Sequence, residues 1–205
     1  MRQAIDRLGI KGSVLVTSNR KPLLEYATNN STDTSYLINS VQKSMTAAMV
    51  MREVQKGKLS LDDPLSKFYP NVDGADNVKI SNLLTMTSGL DLETDQQLGT
   101  PEFISDEANI AHDAKYTVFD GRKLGKWHYT AVNYIYLCGI LSKLEHKSYE
   151  KLFRETYIKP LKLKQTEFLW SSMTKLKSAG WVPGYERSSG QFMRVDHDQA
   201  VKDAH

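Results

Sequence analysis

Apolar positions are unevenly distributed along the chain, and the unevenness outlines the elements. Ser13–Thr17 and Pro22–Tyr26 read as two short strands of a hairpin, joined through Ser18-Asn19-Arg20-Lys21. A polar stretch from Asn29 to Thr34 leads to a short apolar run, Tyr36-Leu37-Ile38. From Ser40 onward the period changes. Val41, Met45, Ala48 and Met49 fall at i, i+4, i+7 and i+8, which predicts one apolar face of a helix ending before Gly57. Leu59 to Leu65 reads as a turn-rich connector around Asp62-Asp63-Pro64, and Ser81 is a candidate cap for a helix carrying Leu83, Leu84 and Met86, stopped by Gly89. Residues 91–127 are polar and mixed and read as loops and short helices. A second long helix is expected from Thr130 to His146, and Ser148 is expected to cap a third that ends near Ile158, before Pro160. Beyond Phe168 the pattern fades into a tail punctuated by Gly180, Pro183, Gly184 and Gly190.

The expected architecture is therefore α/β (α+β), with strands flanked by helices and a helical lobe. One domain of 205 residues is expected, with a hairpin and long helix over 1–61, a helical lobe over 62–170 and polar loops over 171–205. Composition narrows the function. The chain is 40% apolar and 25% charged with a net charge of +3, which excludes general disorder and gives no basic footprint for nucleic acid. No stretch approaches the roughly 20 apolar residues of a membrane helix, and the first residues, Met1 to Asp6, lack the apolar run of a signal peptide. Cys138 is the only cysteine, and the five histidines show no ligand spacing, so neither a metal nor any other cofactor is expected. Nucleotide-binding glycine loops, His-Glu-x-x-His and Gly-x-Ser-x-Gly are all missing from the sequence.

What remains is Ser-x-x-Lys. A serine hydroxyl needs a base to take its proton, and a lysine three residues on along a helix lies one turn away on the same face. A serine at a helix start also lies at the positive end of the helix dipole, beside backbone N–H groups that can hold an oxyanion. The pattern occurs four times, as Ser18…Lys21, Ser40…Lys43, Ser148…Lys151 and Ser172…Lys175. The first falls in the hairpin turn, the third reads as a helix cap and the fourth lies in a polar loop. Only Ser40 follows an apolar run and opens a helix rich in Met and Ala. Locally, Ser40 can be read either as a nucleophile with Lys43 as its base or as a helix cap beside a surface lysine.

Ser40-Val41-Gln42-Lys43-Ser44-Met45-Thr46-Ala47-Ala48 resembles the active-serine motif of the serine β-lactamase and penicillin-binding protein family, in its class C-like branch. Three further blocks follow in the same order. Gly57–Pro64 resembles the connector after the active-site helix, Ile80–Leu90 the next block, and Tyr129–Tyr134 with Gly139 and Ile140 the segment bearing the second catalytic motif. The resemblance implies a β-lactamase/transpeptidase-like fold, an acyl-enzyme on Ser40, and Tyr129 as a tyrosine that relays protons with Lys43. It implies as substrates D-Ala-D-Ala peptides of the cell wall, β-lactams or simple esters, and an extracytoplasmic place of work. Two departures stand out. The family's second motif is Tyr-x-Asn, and its third position here is Ala131. Asn133 is the nearest candidate substrate-binding amide, but a two-residue shift turns a helical side chain by roughly 200°, which also suits a structural polar role. A counterpart of the third motif, Lys-Thr-Gly or His-x-Gly, is not apparent; Ser188-Ser189-Gly190 falls in a polar turn. The expectation is thus an N-terminal portion of such a hydrolase with an incomplete sheet, or alternatively a non-catalytic relative that binds cell-wall peptides or a partner.

Overall fold

The computed structural model describes residues 1–93, 105–169, 181–188 and 191–196. In chain order the elements are α1 (Arg2–Leu8), β1 (Gly12–Ser18), β2 (Lys21–Thr28), α2 (Gln42–Gln55), α3 (Ile80–Leu84), β3 (Leu90–Leu92), α4 (Asp106–Tyr116), β4 (Thr117–Phe119), α5 (Val132–Glu145), α6 (Tyr149–Phe153), β5 (Tyr185–Ser188) and β6 (Gln191–Arg194). They fall into two compact units, one of Met1–Ile38 with Lys164–Ala204 and one built on Asn39–Leu163.

In the first unit β1 and β2 pair antiparallel, with Gly12 opposite Thr28 and Ser18 opposite Lys21, and the register shifts between Val16 and Thr17. The two turn residues, Asn19 and Arg20, both have positive φ (49° and 64°), the geometry whose twist matches a two-residue hairpin. Asparagine tolerates that region and arginine does so at a cost, so the turn forms without the Asn-Gly pair that would have announced it. The apolar run at 36–38 makes a single parallel bridge, Tyr36 to Val182. The tail read as polar loops contains a second hairpin, in which β5 and β6 pair with Tyr185 opposite Arg194. Buried Ile5, Phe168, Leu169, Trp181 and Val182 supply this unit's core.

The second unit is organised around α5. Val132, Tyr136, Leu137, Ile140 and Leu141 are all at most 1% exposed, so this helix is buried around most of its circumference. α2, α3, α4 and α6 pack against it. Gly139 permits the closest approach, because a side-chain carbon there would overlap the Tyr69 hydroxyl and Ile110 Cδ1. Gly57 follows α2 with φ 73°, the left-handed cap expected after that helix.

Some expected boundaries and one helix type differ. The helix expected to be capped by Ser81 begins two residues earlier, with Lys79 as its cap residue and the Asn82 side-chain Oδ1 accepting the Lys79 N–H at 2.9 Å. It ends at Leu84, well short of Gly89, because Met86 turns left-handed (φ 59°). Gly89 instead sits where a side chain would press to 2.6 Å from the Asp120 carbonyl oxygen. The helix capped by Ser148 is α-helical only to Phe153, and Arg154–Ile158 completes it as a wider π turn.

Candidate active site

Ser40 lies in a 3-10 turn, Asn39–Val41, that leads directly into α2. Asn39 adopts a left-handed conformation (φ 41°), and the chain enters the helix through it. Lys43, in the first turn of α2, stands one turn from Ser40 and donates from Nζ to Ser40 Oγ at 3.0 Å. Tyr129 arrives from 89 positions away in sequence and donates from Oη to the same Ser40 Oγ at 2.7 Å. Lys43 Nζ also lies 5.3 Å from the centroid of the Tyr129 ring and 5.9 Å from that of Tyr134. The three candidate catalytic side chains therefore converge on one oxygen. All of them belong to the second unit.

The electrostatics follow from that convergence. The Tyr129 phenol titrates below its ordinary range, first because of its bond with the Ser40 hydroxyl and then because of Lys43, whose bond and positive charge favour the phenolate. Ser40 and Tyr129 are open to solvent and Lys43 is half-buried, so the cluster is accessible to a ligand. Tyr134 was not singled out from sequence. Its ring faces Lys43, its hydroxyl donates to the Leu84 carbonyl at 3.1 Å, and burial holds its phenol protonated. The signal that could have found it is its place five residues after Tyr129, in the first turn of α5.

The second-motif segment is held by hydrogen bonds to the loop after α3. Gly125 N–H donates to the Thr87 carbonyl and His128 N–H to the Met86 carbonyl, both at 2.8 Å, and Asp120 N–H donates to the Gly89 carbonyl at 2.9 Å. Asn133 does not join the Ser40 cluster. It is fully buried, its carbonyl accepts from Ser88 Oγ at 2.5 Å, and its amide nitrogen donates to Met86 Sδ at 3.2 Å. Ser88 Oγ in turn accepts the Leu90 N–H at 3.0 Å. Asn133 thus ties the start of α5 to the loop at 86–90 through Ser88 and Met86. Ala131 is the cap residue of α5 and brings no amide.

The remaining Ser-x-x-Lys pairs separate cleanly. Ser18 faces Lys21 across the hairpin turn, and Ser148 caps α6 by accepting the Lys151 N–H at 3.3 Å. Ser172…Lys175 lies outside the described residues, as do Ser189 and Gly190. Burial pushes the Cys138 thiol up to about 12, which makes it a poor source of thiolate. Among the described residues no helix is long and apolar enough to cross a membrane, and no group of three or more His, Cys, Asp or Glu side chains is arranged to hold a metal ion.

Residues 1–189 match the Beta-lactamase family. The chain belongs to that family. The Bacillus subtilis (strain 168) protein PbpX is 25% identical over 168 residues, which cover 76% of this chain and 41% of PbpX. The chain therefore spans about two fifths of the length of that curated relative. In structure it resembles FmtA from Staphylococcus aureus, with a TM-score of 0.76 and 22% identity over 95% of this chain and 56% of FmtA. A class C beta-lactamase matches with a TM-score of 0.65 and 21% identity over 99% of this chain and 57% of that one. The fold is β-lactamase/transpeptidase-like, represented here by its helices and by small two-stranded sheets.

Proposed function

We propose that this chain carries the acylation centre of a serine hydrolase of the β-lactamase and DD-peptidase type. The supporting observation is the Ser40 hydroxyl, which receives hydrogen bonds from both Lys43 and Tyr129. Ser40 Oγ attacks the substrate's carbonyl carbon while its proton passes to the Tyr129 phenolate, the form that Lys43 favours. The oxyanion forms beside the Ser40 backbone N–H at the amino end of the helix, where such groups lack intrahelical acceptors. When the tetrahedral intermediate collapses, the bond to the leaving group breaks and Tyr129 returns the proton to that group's nitrogen or oxygen. Water then attacks the acyl-Ser40 ester, gives its proton to the same relay, and Ser40 Oγ leaves.

The substrate class is D-Ala-D-Ala cell-wall peptides, β-lactams or esters. Ala131 supports a peptidase or esterase-like member over a true β-lactamase, because the amide that would hydrogen-bond the substrate's acyl-amide group is replaced by a methyl. On this reading the protein works on cell-wall material outside the cytoplasmic membrane. The test is intact mass after incubation with a penicillin and with a p-nitrophenyl ester, with Ser40→Ala run alongside. An adduct of one acyl group on the parent chain and none on the variant is expected. A folded protein that gives no adduct with either reagent overturns the proposal and favours the alternative, a relative that binds cell-wall peptides without acylation.

A further inference from the structure

The segment that brings Tyr129 to Ser40 is neither helix nor strand between Lys126 and Thr130. Nothing periodic in its own backbone fixes where the phenol ends, so its position depends on ties to its neighbours. One backbone tie comes immediately before Tyr129, from His128 N–H to the Met86 carbonyl. A side-chain tie comes from the same residue, with His128 Nε2 2.8 Å from Asp91 Oδ2. An ionised carboxylate only accepts, so Nε2 carries the proton and donates. Asp91 is itself fixed. Its other oxygen accepts the Leu92 N–H at 3.0 Å, and its backbone lies in β3 opposite Val118 of β4. On either side of His128 the rings of Trp127 and Tyr129 approach to 6.5 Å between centroids, and both are largely exposed. His128 is thus half-buried and anchored twice, between two residues whose rings are exposed, with buried Thr130 following them.

We propose that His128, bonded to Asp91, is the positioning residue for Tyr129, holding its hydroxyl within hydrogen-bond distance of Ser40 Oγ. The proposal rests on the reading of Ser40, Lys43 and Tyr129 as an acylation centre. His128 touches neither the nucleophile nor its base, and acts only through the residue that follows it. Displacement of a catalytic group by about 1 Å can cost as much as 10²-fold in rate, whereas a half-exposed pair such as His128–Asp91 contributes little to folding. A positioning role therefore shows itself in the chemistry far more than in stability.

The experiment compares His128→Ala, His128→Gln and Asp91→Ala in the parent chain and in a Tyr129→Phe background. The expected result is that His128→Ala and Asp91→Ala slow acylation of Ser40 about tenfold in the parent chain and less than about twofold once Tyr129 is phenylalanine. His128→Gln, whose amide can still donate to Asp91, recovers most of the rate. An equal loss in both backgrounds, or none in either, overturns the proposal. A second measurement does not depend on turnover: 3-fluorotyrosine placed at 129 is titrated by fluorine NMR. Its phenol is expected to titrate higher in His128→Ala and Asp91→Ala than in the parent and to stay near the parent value in His128→Gln. If no reagent acylates the parent chain but the titration moves this way, the reading of Ser40 fails and the positioning role stands. If the titration moves with neither variant, the positioning role fails whatever the acylation shows.

Discussion

At the residue scale, function rests on a single oxygen. Ser40 Oγ is exposed and accepts bonds from Lys43 and Tyr129, so replacing it removes chemistry and little packing. Ser40→Ala is expected to abolish acylation outright while changing stability by no more than about 0.5 kcal/mol, measured by intact mass and by denaturant unfolding. Tyr129→Phe keeps the ring beside Trp127 and loses the proton relay, so acylation should fall by about 10²–10⁴-fold. The pH dependence follows from the same groups. The phenol is held below its ordinary range by Ser40 and by Lys43, and its anion is the form that takes the proton. The acylation rate should therefore rise with pH through an ionisation below the usual phenol value of about 10. Lys43→Met removes one hydrogen bond and the positive charge, so the rising limb should move to higher pH. A limb that stays in place in Lys43→Met would show that Tyr129 is not the titrating base.

At the element scale, the start of α5 is where sequence and structure diverge most usefully. The register of the flanking blocks pointed to Tyr129, and in the structure its hydroxyl lies 2.7 Å from Ser40 Oγ. That register left Asn133 open, and in the structure the buried Asn133 amide bonds Ser88 and Met86. Asn133→Ala would leave the Ser88 hydroxyl buried without that partner, at a cost of about 1–3 kcal/mol, read as a lower denaturant midpoint. Other elements were illegible for reasons that can be named. α4 has few apolar residues, with Ile110 its buried hydrophobe, so its periodicity is faint. Its cap was nonetheless written in Ser105, whose hydroxyl accepts the Ala108 N–H at 3.1 Å, and in the acidic Asp106 and Glu107 of its first turn. β3 and β4 have three residues each and exist only because they pair with each other, which no local pattern announces. α5 was legible because burial dictated its apolar positions, whereas the face read for α2 is only partly the buried one: Met49 is buried, but Val41 is 63% exposed and Ala48 exposed, while polar Thr46 and Glu53 are buried. At the tightest of these contacts, Gly139→Ala should cost about 1–3 kcal/mol, since the added methyl group overlaps Tyr69 and Ile110.

At the scale of the whole molecule, the proposed site depends on the unit that runs from Asn39 to Leu163 staying closed, and an ion cluster at the far ends of its two long helices bears on that. Glu53 of α2 and Glu145 of α5 are drawn together by Lys56 and Lys58. Lys56 Nζ lies 2.6 Å from Glu53 Oε1, and Lys58 Nζ lies 2.6 Å from Glu145 Oε1. Glu145 is only partly exposed, and its carboxyl is held down to about 2, first by the bond from Lys58 and further by the positive charges of Lys56 and Lys58. The folded carboxylate thus releases its proton more readily than the unfolded one, whose value is 4.5. Its contribution to stability is fully present above that unfolded value and drains away as pH falls toward about 2. Denaturation midpoints recorded from neutral pH down through this window should therefore fall more steeply for the parent chain than for Glu145→Gln, which has no proton to gain there. The gap between the two should narrow in high salt, because the lysines of the cluster are half-exposed and screening weakens their attraction. Parallel acid profiles for the two proteins would mean that α2 and α5 are held together by the buried face of α5 alone.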